Sequence, residues 1–172
     1  HKSQKGYIQV GNGDIVSWCV GHVLEQAQPE KYNAEYKKWR SEHLPIVPDK
    51  WVLIPKYQTK SQLAILKKYV KEADEIIHAG DPDREGQLLV DEVIDYLKVS
   101  NTKKSTIKRL LISDLNLPAV KKSLNQLKSN QEFLSLSISA LARSRADWLY
   151  GINLTRAYTL QGQKFGYNGV LS

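Results

Sequence analysis

The 172-residue sequence lacks several features that mark particular classes of protein. It has one cysteine, Cys19, which excludes an internal disulfide and a cysteine-rich zinc site. It has no run of about 18 apolar residues and no apolar segment at its start, so we expect neither a membrane span nor export. A reducing cytoplasm is therefore the expected compartment. Methionine is absent even from position 1, and we expect the natural start to lie upstream.

Charge is divided unevenly along the chain, whose formal net charge is +7. Residues 1–97 carry 13 basic and 15 acidic side chains, a net charge of −2, whereas residues 98–172 carry 12 basic and 3 acidic ones, a net charge of +9. This asymmetry is typical of a protein whose second half meets a polyanion. A solvated basic surface would explain it equally well. Hydrophobic residues make up 41% of the sequence, which is enough for a folded core.

Hydrophobic periodicity predicts an α/β domain followed by a long helix. Gly11-Asn12-Gly13 lies between two β-forming runs and predicts a hairpin over residues 6–20. Prolines make residues 29–55 irregular, and a strand–helix–strand–helix order after them indicates an α/β sheet. We set a domain boundary near Ile112, which divides the chain into residues 1–112 and 113–172. The other expected elements before residue 130 are a helix over 59–72, a strand over 75–79, a helix opened by 81–85, a strand over 107–112 and a helix over 116–128. A long helix is expected from 133 to about 160, with an interruption near Gly151. Gly162, Gly166 and Gly169 are expected to break regularity after it.

Three carboxylates stand at alternate positions where the predicted strand 75–79 gives way to a helix: Asp81, Asp83 and Glu85. Ligands of α/β sheets bind at the carboxyl ends of strands, and Mg²⁺ prefers hard oxygen ligands of this kind. Arg84, between two of the acids, is suited to a phosphate. Helix capping is the competing interpretation, because Asp is a preferred N-cap, proline suits the first turn, and acids favour a helix start.

These acids lie in a longer segment, residues 78–89 (HAGDPDREGQLL), which resembles the acidic signature of the Toprim domain of topoisomerases and primases. Further segments resemble the type IA DNA topoisomerases, and among them the bacterial topoisomerase III subfamily. They are residues 21–25 (GHVLE), 44–48 (LPIVP), 140–143 (ALAR) and 146–157 (ADWLYGINLTRA). The resemblance covers essentially the whole chain. It implies a Toprim-type, Rossmann-like α/β sheet with flanking helices in residues 1–112, lacking its first strand, and the start of a helical single-stranded-DNA-binding domain in 113–172.

The resemblance also implies a reaction. Type IA enzymes cut one DNA strand through attack by a tyrosine, hold the 5′ phosphate covalently, pass a second strand and reseal the break without ATP. Asp81 and Asp83 would hold Mg²⁺, Glu85 would complete the acidic set, and Arg84 would assist. The family's first glutamate would precede His1, and none of the nine tyrosines, Tyr158 included, lies in the family's nucleophile motif. We therefore expect these 172 residues alone not to cleave DNA.

Several other side chains are candidate DNA contacts. Lys37-Lys38-Trp39-Arg40 interleaves an aromatic ring with cations, a combination that grips unpaired bases and phosphates, although a tryptophan that anchors a loop would look the same. On the long helix, Arg145, Trp148, Arg156 and Gln163 share one broad face, Gln163 only if the helix continues past Gly162. A tryptophan in the setting of Trp148 is more often a core residue than a surface on which bases stack. Arg143 and Asp147, four residues apart, are expected to pair. Ser172 would be the first residue of the family's next DNA-contacting segment.

The remaining single residues are assigned by their surroundings. His22 would be a structural hydrogen-bonding residue in most proteins, but the resemblance places a Gly-His near the active site and makes it a catalytic candidate. His78 and Cys19 are interpreted as structural.

The resemblance implies partners as well. We expect single-stranded DNA and negatively supercoiled or catenated DNA as partners, no membrane partner, a monomer, and a cytoplasmic location at the nucleoid. The alternatives are another Toprim enzyme, such as a primase or nuclease, and a non-catalytic nucleic-acid-binding module.

Overall fold

A computed structural model describes residues 2–171 of the chain. The chain divides into two compact units, which we call the first unit (His1–Glu25 and Pro55–Ala140) and the second unit (Gln26–Ile54 and Leu141–Ser172). Among the described residues the strands are β1 Lys2–Gln4, β2 Tyr7–Gln9, β3 Ile15–Ser17, β4 Leu24–Gln26, β5 Leu53–Pro55, β6 Ile77–His78, β7 Lys108–Arg109 and β8 Lys128–Ser129. The α-helices are α1 Lys60–Glu72, α2 Arg84–Tyr96, α3 Asn101–Thr106, α4 Leu117–Leu124 and α5 Leu134–Lys164.

The predicted hairpin is present in the first unit. β2 pairs antiparallel with β3, with Ile8 opposite Val16, and β1 adds a third antiparallel strand on the other side of β2. The connecting turn runs through Gly13, whose N–H donates to the carbonyl of Val10 at 3.0 Å. Helix α1 packs against this sheet through Gln62, whose side-chain amide donates to the carbonyls of Gly6 and Trp18.

The predicted α/β order is also present, with shorter strands than expected. β6 and β7 pair in parallel, with Ile77 opposite Lys108, and α2 lies between them in the sequence. β8 joins β7 in the antiparallel direction and was not predicted. α4 ends at Leu124 rather than at residue 128. The expected strands 75–79 and 107–112 were too long, because an apolar run shows which residues are buried but not how many of them pair.

A network of buried polar side chains joins α2 to β7 and to the start of the turn after β8. Gln87 is fully buried, and its side-chain nitrogen donates to Asp91 at 2.9 Å and to Asn130 at 2.8 Å. The Asn130 amide donates to the other oxygen of Asp91 at 2.9 Å, and Arg109 Nε donates to Gln87 Oε1 at 2.8 Å. Each of these side chains therefore has buried partners, as burial of polar groups requires.

The second unit is built from short 3-10 turns and the second part of α5. The turns, Pro29–Lys31, Ala34–Lys37 and Ser41–His43, agree with the expected irregularity of residues 29–55. Asn153 on α5 fixes this segment, because its side chain accepts from the N–H of Ile46 at 2.6 Å and donates to the carbonyl of Ile46 at 2.9 Å. β4 and β5, which precede and follow residues 27–52 in the sequence, pair with each other, and this pairing was not predicted.

Helix α5 is continuous where an interruption was expected. It passes through both Gly151 and Gly162 and ends at Lys164, so the predicted break near Gly151 is wrong. Regularity is lost from residue 165, at Gly166 and Gly169 as expected, but not at Gly162. Gly162 serves a packing role instead, since a Cβ there would lie 2.5 Å from Leu171 Cδ1. Despite its 31 residues, α5 is not apolar enough to cross a membrane, and neither is any other helix within residues 2–171.

The buried network predicts a large effect of one substitution. Asn130→Ala removes a partner from both Gln87 and Asp91, and leaving buried polar groups unpaired costs roughly 1–3 kcal/mol. We expect the free energy of unfolding, measured by urea titration, to fall by about that amount. The exposed Asn101 is the matched control, and Asn101→Ala is expected to change it by less than about 0.5 kcal/mol. Equal effects of the two substitutions would contradict the role given to the network.

The two glycines of α5 predict opposite responses to alanine. A Cβ at Gly151 meets no atom within 4 Å, so Gly151→Ala gains helix propensity alone and is expected to stabilise the chain by about 0.5–1 kcal/mol. Gly162→Ala requires Leu171 to move, and we expect it to gain less than Gly151→Ala or to destabilise the chain. Thermal unfolding followed by circular dichroism measures both. An equal gain at the two positions would show that the packing against Leu171 carries no energy.

Candidate metal and nucleic-acid sites

Residues 80–85, which we call the acidic loop, run from the end of β6 into the first turn of α2 in the first unit. β6 ends at His78 and α2 begins at Arg84, so the loop lies at the carboxyl end of a parallel strand. Asp83 is the N-cap of α2, and its Oδ1 accepts from the N–H of Gly86 at 2.7 Å. Asp81, Asp83 and Glu85 are all exposed, which leaves their remaining oxygens accessible to solvent and to ligands.

Arg109 fixes the path of this loop from beneath. It is 1% exposed, and its guanidinium donates to the carbonyls of Gly80 and Asp81 at 2.7 Å each. It also donates to the carbonyls of His78 and Leu110 and to Gln87 Oε1. A guanidinium has five N–H donors in a rigid fork, and here they hold the backbone on both sides of the first acidic residue.

Two glycines hold the loop against the first turn of α2. A Cβ on Gly86 would lie 2.6 Å from the backbone N of Asp81 and 2.7 Å from its Cβ. A Cβ on Gly80 would collide with the carbonyl oxygen of Gly86. Only glycine at both positions allows the loop and the helix to approach so closely.

The groups beneath the loop carry displaced pKa values. Burial lowers the pKa of the Arg109 guanidinium, and the negative charges of Asp91, Asp81 and Asp83 oppose that effect. Burial and the nearby Arg109 charge lower the pKa of His78. The Nδ1 of His78 accepts from the N–H of Gly80 at 3.2 Å, so its Nε2 carries the proton and donates to the carbonyl of Gln87 at 3.2 Å. His78 is therefore a neutral structural residue, in agreement with its predicted role.

The predicted metal ligands fit Mg²⁺ by chemistry but are not gathered into a cluster. Within residues 2–171, no group of three or more His, Cys, Asp or Glu side chains lies close enough together to hold a metal ion. Mg²⁺ needs less than this, because it commonly binds through one or two carboxylates and retains water molecules and phosphate oxygens as its other ligands. Asp81, and the Asp83 oxygen not used in capping, are donors of that kind.

The other candidates of the first unit lie beside α2. His22 is partly exposed, and its Nδ1 is 3.8 Å from an oxygen of the buried Glu92. The Cys19 thiol is 3.9 Å from the carbonyl of Leu89. Burial, together with the charge of Glu92, raises the pKa of Cys19 to about 11, which makes the thiol unreactive at neutral pH and agrees with a packing role. Arg84 is exposed and lies 3.8 Å from Glu85.

In the second unit, Trp39 and Arg156 contact each other. The Arg156 guanidinium stands 5.1 Å from the centre of the Trp39 ring, and its Nη1 donates to the carbonyl of Tyr36 at 2.7 Å. Arg156 is 5% exposed, and burial lowers its pKa. A cation over an aromatic face is a favourable contact, so this pair fixes the orientation of the tryptophan.

Arg145 and Trp148 pack inward against aromatic residues of the same unit. The Trp148 ring lies edge-on to Tyr32 at 5.8 Å and to Trp51 at 5.4 Å, and Arg145 stands 5.2 Å from the centre of Trp51. The shared face predicted for α5 is real, and much of it packs on the protein's own 29–54 segment. Arg143 and Asp147 lie 3.7 Å apart on the exposed side, as expected.

Two surface depressions meet at Trp39. One, of about 270 Å³, is lined among others by Trp39, Trp148 and Arg156. The other, of about 380 Å³, is lined by Trp39, Gln163, Gly169 and Val170 among others. Helix α5 does continue past Gly162, so Gln163 lies on the expected face. Ser172 lies outside the described residues.

The sequence patterns missed the residues that support these sites. Arg109 and Gln87 were not singled out, although a charged residue inside the predicted strand 107–112 was a usable signal of a buried ion. Tyr32, Tyr36 and Trp51, which pack under α5, carried no pattern that connected them to it.

Known proteins resemble the chain in both units. A model of the Toprim domain matches residues 2–115. A protein of Vibrio cholerae named DNA topoisomerase 3 is 63% identical over all 172 residues, which make up 27% of that protein. Proteins of the same name from Haemophilus influenzae and Bacillus subtilis are 55% identical over 172 residues and 38% identical over 161 residues. The chain spans about a quarter of the length of these relatives.

The family match covers two thirds of the chain and includes the acidic loop, Arg109 and the parallel pair of β6 and β7. The predicted α/β fold of the Toprim type, with a helical segment after it, is confirmed. The chain belongs to the Toprim domain family.

Proposed function

We propose that the chain is part of a DNA topoisomerase of type IA, of the topoisomerase III kind. The observation that carries the proposal is the acidic loop, which presents three carboxylates at the end of a parallel strand on a backbone fixed by Arg109. The relatives named DNA topoisomerase 3 support it further, because their similarity continues through residues 116–172, beyond the Toprim match. That extent favours a topoisomerase over a primase or nuclease.

In this proposal the first unit supplies a magnesium site. Asp81 and Asp83 hold the ion, Glu85 completes the acidic set, and Arg84 contacts a phosphate oxygen. Mg²⁺ bound there supplies charge stabilisation at the scissile phosphate. Arg109 and the glycines keep the carboxylates in place, while His22, beside Glu92 of α2, would contact a phosphate or hydroxyl of the strand.

The second unit guides the unpaired strand. Trp39 offers a ring face at the two depressions, Arg156 orients it, and Gln163 and Trp148 line the adjoining walls. Arg145, which packs on Trp51, supports this surface from its inner side. Ser172 would be the first residue of the next DNA-contacting segment. Aromatic rings with neighbouring cations bind single strands with little sequence preference. The division into a Toprim domain over 1–112 and a helical strand-binding segment over 113–172 stays part of the proposal, with Trp39 of the second unit contributing to strand binding from outside residues 113–172.

The complete reaction follows the type IA course. A tyrosine outside these residues forms the 5′-phosphotyrosine link, a second strand passes, and the break is resealed without ATP, which relaxes negative supercoils and separates catenated DNA. The 172 residues alone bind metal and strand without cleavage. We place the protein in the cytoplasm at the nucleoid, as a monomer.

A second candidate is a nucleic-acid-binding module without a metal. The hydrogen bond from Gly86 to Asp83 favours it, because that bond explains one acidic residue as a helix cap. The two functions differ in whether Mg²⁺ stabilises the folded chain, so a magnesium titration of thermal unfolding distinguishes them.

Magnesium is expected to stabilise the folded chain through Asp81. At tenfold excess over its dissociation constant, an ion that binds only the folded state adds about 1.4 kcal/mol to the free energy of unfolding. We expect the midpoint of thermal unfolding to rise with Mg²⁺ concentration in the unsubstituted chain and to rise much less in Asp81→Asn.

Asp74 provides the matched control for this titration. It is exposed and precedes β6, at the strand end opposite the acidic loop, so Asp74→Asn is expected to retain the full magnesium response. Asp83→Ala is expected to lower the stability without metal as well, by about 1 kcal/mol, because the helix loses its cap. Identical responses of Asp81→Asn and the unsubstituted chain would favour the metal-free module.

Single-stranded DNA is expected to bind through Trp39. Stacking of a base on an aromatic ring contributes about 1–3 kcal/mol, so Trp39→Ala should weaken binding of a fluorescent oligothymidylate roughly fivefold or more, whereas Trp39→Phe should retain most of it. Fluorescence anisotropy measures the dissociation constants.

Phe165→Ala serves as the control for Trp39. Phe165 is 73% exposed on the same unit and lines neither depression, so its removal should leave the affinity unchanged. The assignment of Trp39 fails if both alanine variants weaken binding by the same factor at equal folded fraction.

A further inference from the structure

Tyr57 is the most exposed aromatic side chain of residues 2–171. It is 82% exposed and lies in a 3-10 turn, Tyr57–Thr59, between β5 and α1 in the first unit. Tyrosines of folded proteins normally bury much of their ring, because the ring is a large apolar surface. Neither of the roles proposed so far uses this residue.

The turn that carries Tyr57 is held on both sides. The N–H of Lys56 donates to the carbonyl of Val23 at 3.0 Å, and the hydroxyl of Thr59 donates to the same carbonyl at 3.2 Å. The N–H of Thr59 closes the turn on the carbonyl of Lys56 at 3.2 Å. The backbone beneath the ring is therefore fixed, and a ligand that stacks on the ring meets a preorganised surface.

One lysine lies against the ring, and a second precedes it in the sequence. The Lys60 ammonium stands 5.3 Å from the centre of the Tyr57 ring, a cation–π contact that leaves most of the residue open to solvent. Lys56 precedes the ring directly in the sequence. A ring between two lysines offers a stacking surface for a base and two positions for phosphates.

The neighbouring segment adds further exposed apolar surface. The side chain of Gln62 donates to the carbonyl of Trp18 at 2.6 Å, so residues 18–23 run beside residues 56–62. Trp18 is 42% exposed and Val20 is 57% exposed. Residues 18–23 and 56–60, which we call the strip, thus carry exposed aromatic side chains, Trp18 and Tyr57, together with Lys56 and Lys60. That composition suits a polyanion carrying aromatic bases.

We propose that the turn Lys56–Lys60 is a second contact surface for single-stranded nucleic acid, separate from the depressions at Trp39. Tyr57 stacks on one unpaired base, and Lys56 and Lys60 bind the flanking phosphates. The inference rests on the proposed function and extends it by assigning a base-stacking contact to the first unit, away from the acidic loop. The lysines select a polyanion, whereas a protein partner for such an exposed strip would need an acidic apolar face.

The test measures binding of the whole chain to a fluorescent oligothymidylate of about 20 nucleotides at several salt concentrations. Tyr57→Ala is expected to raise the dissociation constant roughly fivefold or more, and Tyr57→Phe to leave it within about twofold. Lys60→Gln is expected to lower the slope of log affinity against log salt by about 0.7, because one phosphate of the single strand is then no longer neutralised by the protein. An oligonucleotide carrying 5-iodouracil is expected to cross-link to Tyr57 under light, as located by mass spectrometry.

Tyr150→Ala is the matched control, because Tyr150 is 73% exposed and has Asp147 one helical turn before it instead of lysines. Unchanged affinity in Tyr57→Ala with no cross-link at Tyr57, while Trp39→Ala still weakens binding, would overturn this inference alone. That result is also the one expected if the strip binds a protein. No oligonucleotide binding by the unsubstituted chain would overturn the proposed strand-binding function together with it. An equal loss in Tyr150→Ala and Tyr57→Ala would overturn the inference as well.

Discussion

The hydrogen bonds of the buried Arg109 guanidinium are the interaction on which the first unit most depends. They satisfy carbonyls from β6, from the acidic loop and from the end of β7, and they connect to the side chain of Gln87 on α2. A buried cation is stable only when its donors are satisfied and negative charge lies near, and Asp91, Asp81 and Asp83 supply that charge. The contacts that stabilise the buried Arg109 cation also hold the backbone of the acidic loop in position. The same hydrogen bonds therefore support both the fold of the first unit and the geometry of the candidate site.

The second unit uses cations differently. Arg145 and Arg156 lie against tryptophan faces instead of carboxylates, and the packed face of α5 is closed by the 3-10 turns of residues 29–43. Guanidinium groups stack well on indole rings and are weakly hydrated, so they can be partly buried there. As a result, the Trp39 ring is held in position by Arg156 and remains partly exposed to solvent. A rigid ring at the edge of two depressions is a suitable platform for an unpaired base.

Sequence patterns predicted the elements that depend on local periodicity. They failed for features that depend on contacts between segments far apart in the sequence. Helices α1 and α2, the hairpin and the strand–helix–strand order followed from apolar spacing and turn residues. The continuity of α5 did not, because a single glycine lowers helix propensity by an amount that packing easily outweighs. Arg109 was missed because its partners lie about 30 residues away in the sequence. The face of α5 with Arg145, Trp148 and Arg156 was identified, but nothing local revealed that aromatic residues 32–51 would cover much of it.

The close contact of Gly80 with Gly86 has a consequence for how the carboxylates meet a ligand. Loop and helix interlock without side chains between them, so the loop cannot shift unless the first turn of α2 shifts as well. Its conformational entropy is therefore already lost when the chain folds. A cation or phosphate that arrives at Asp81 finds its donors immobilised, and association there is limited by removal of water from charged groups instead of by ordering of the backbone.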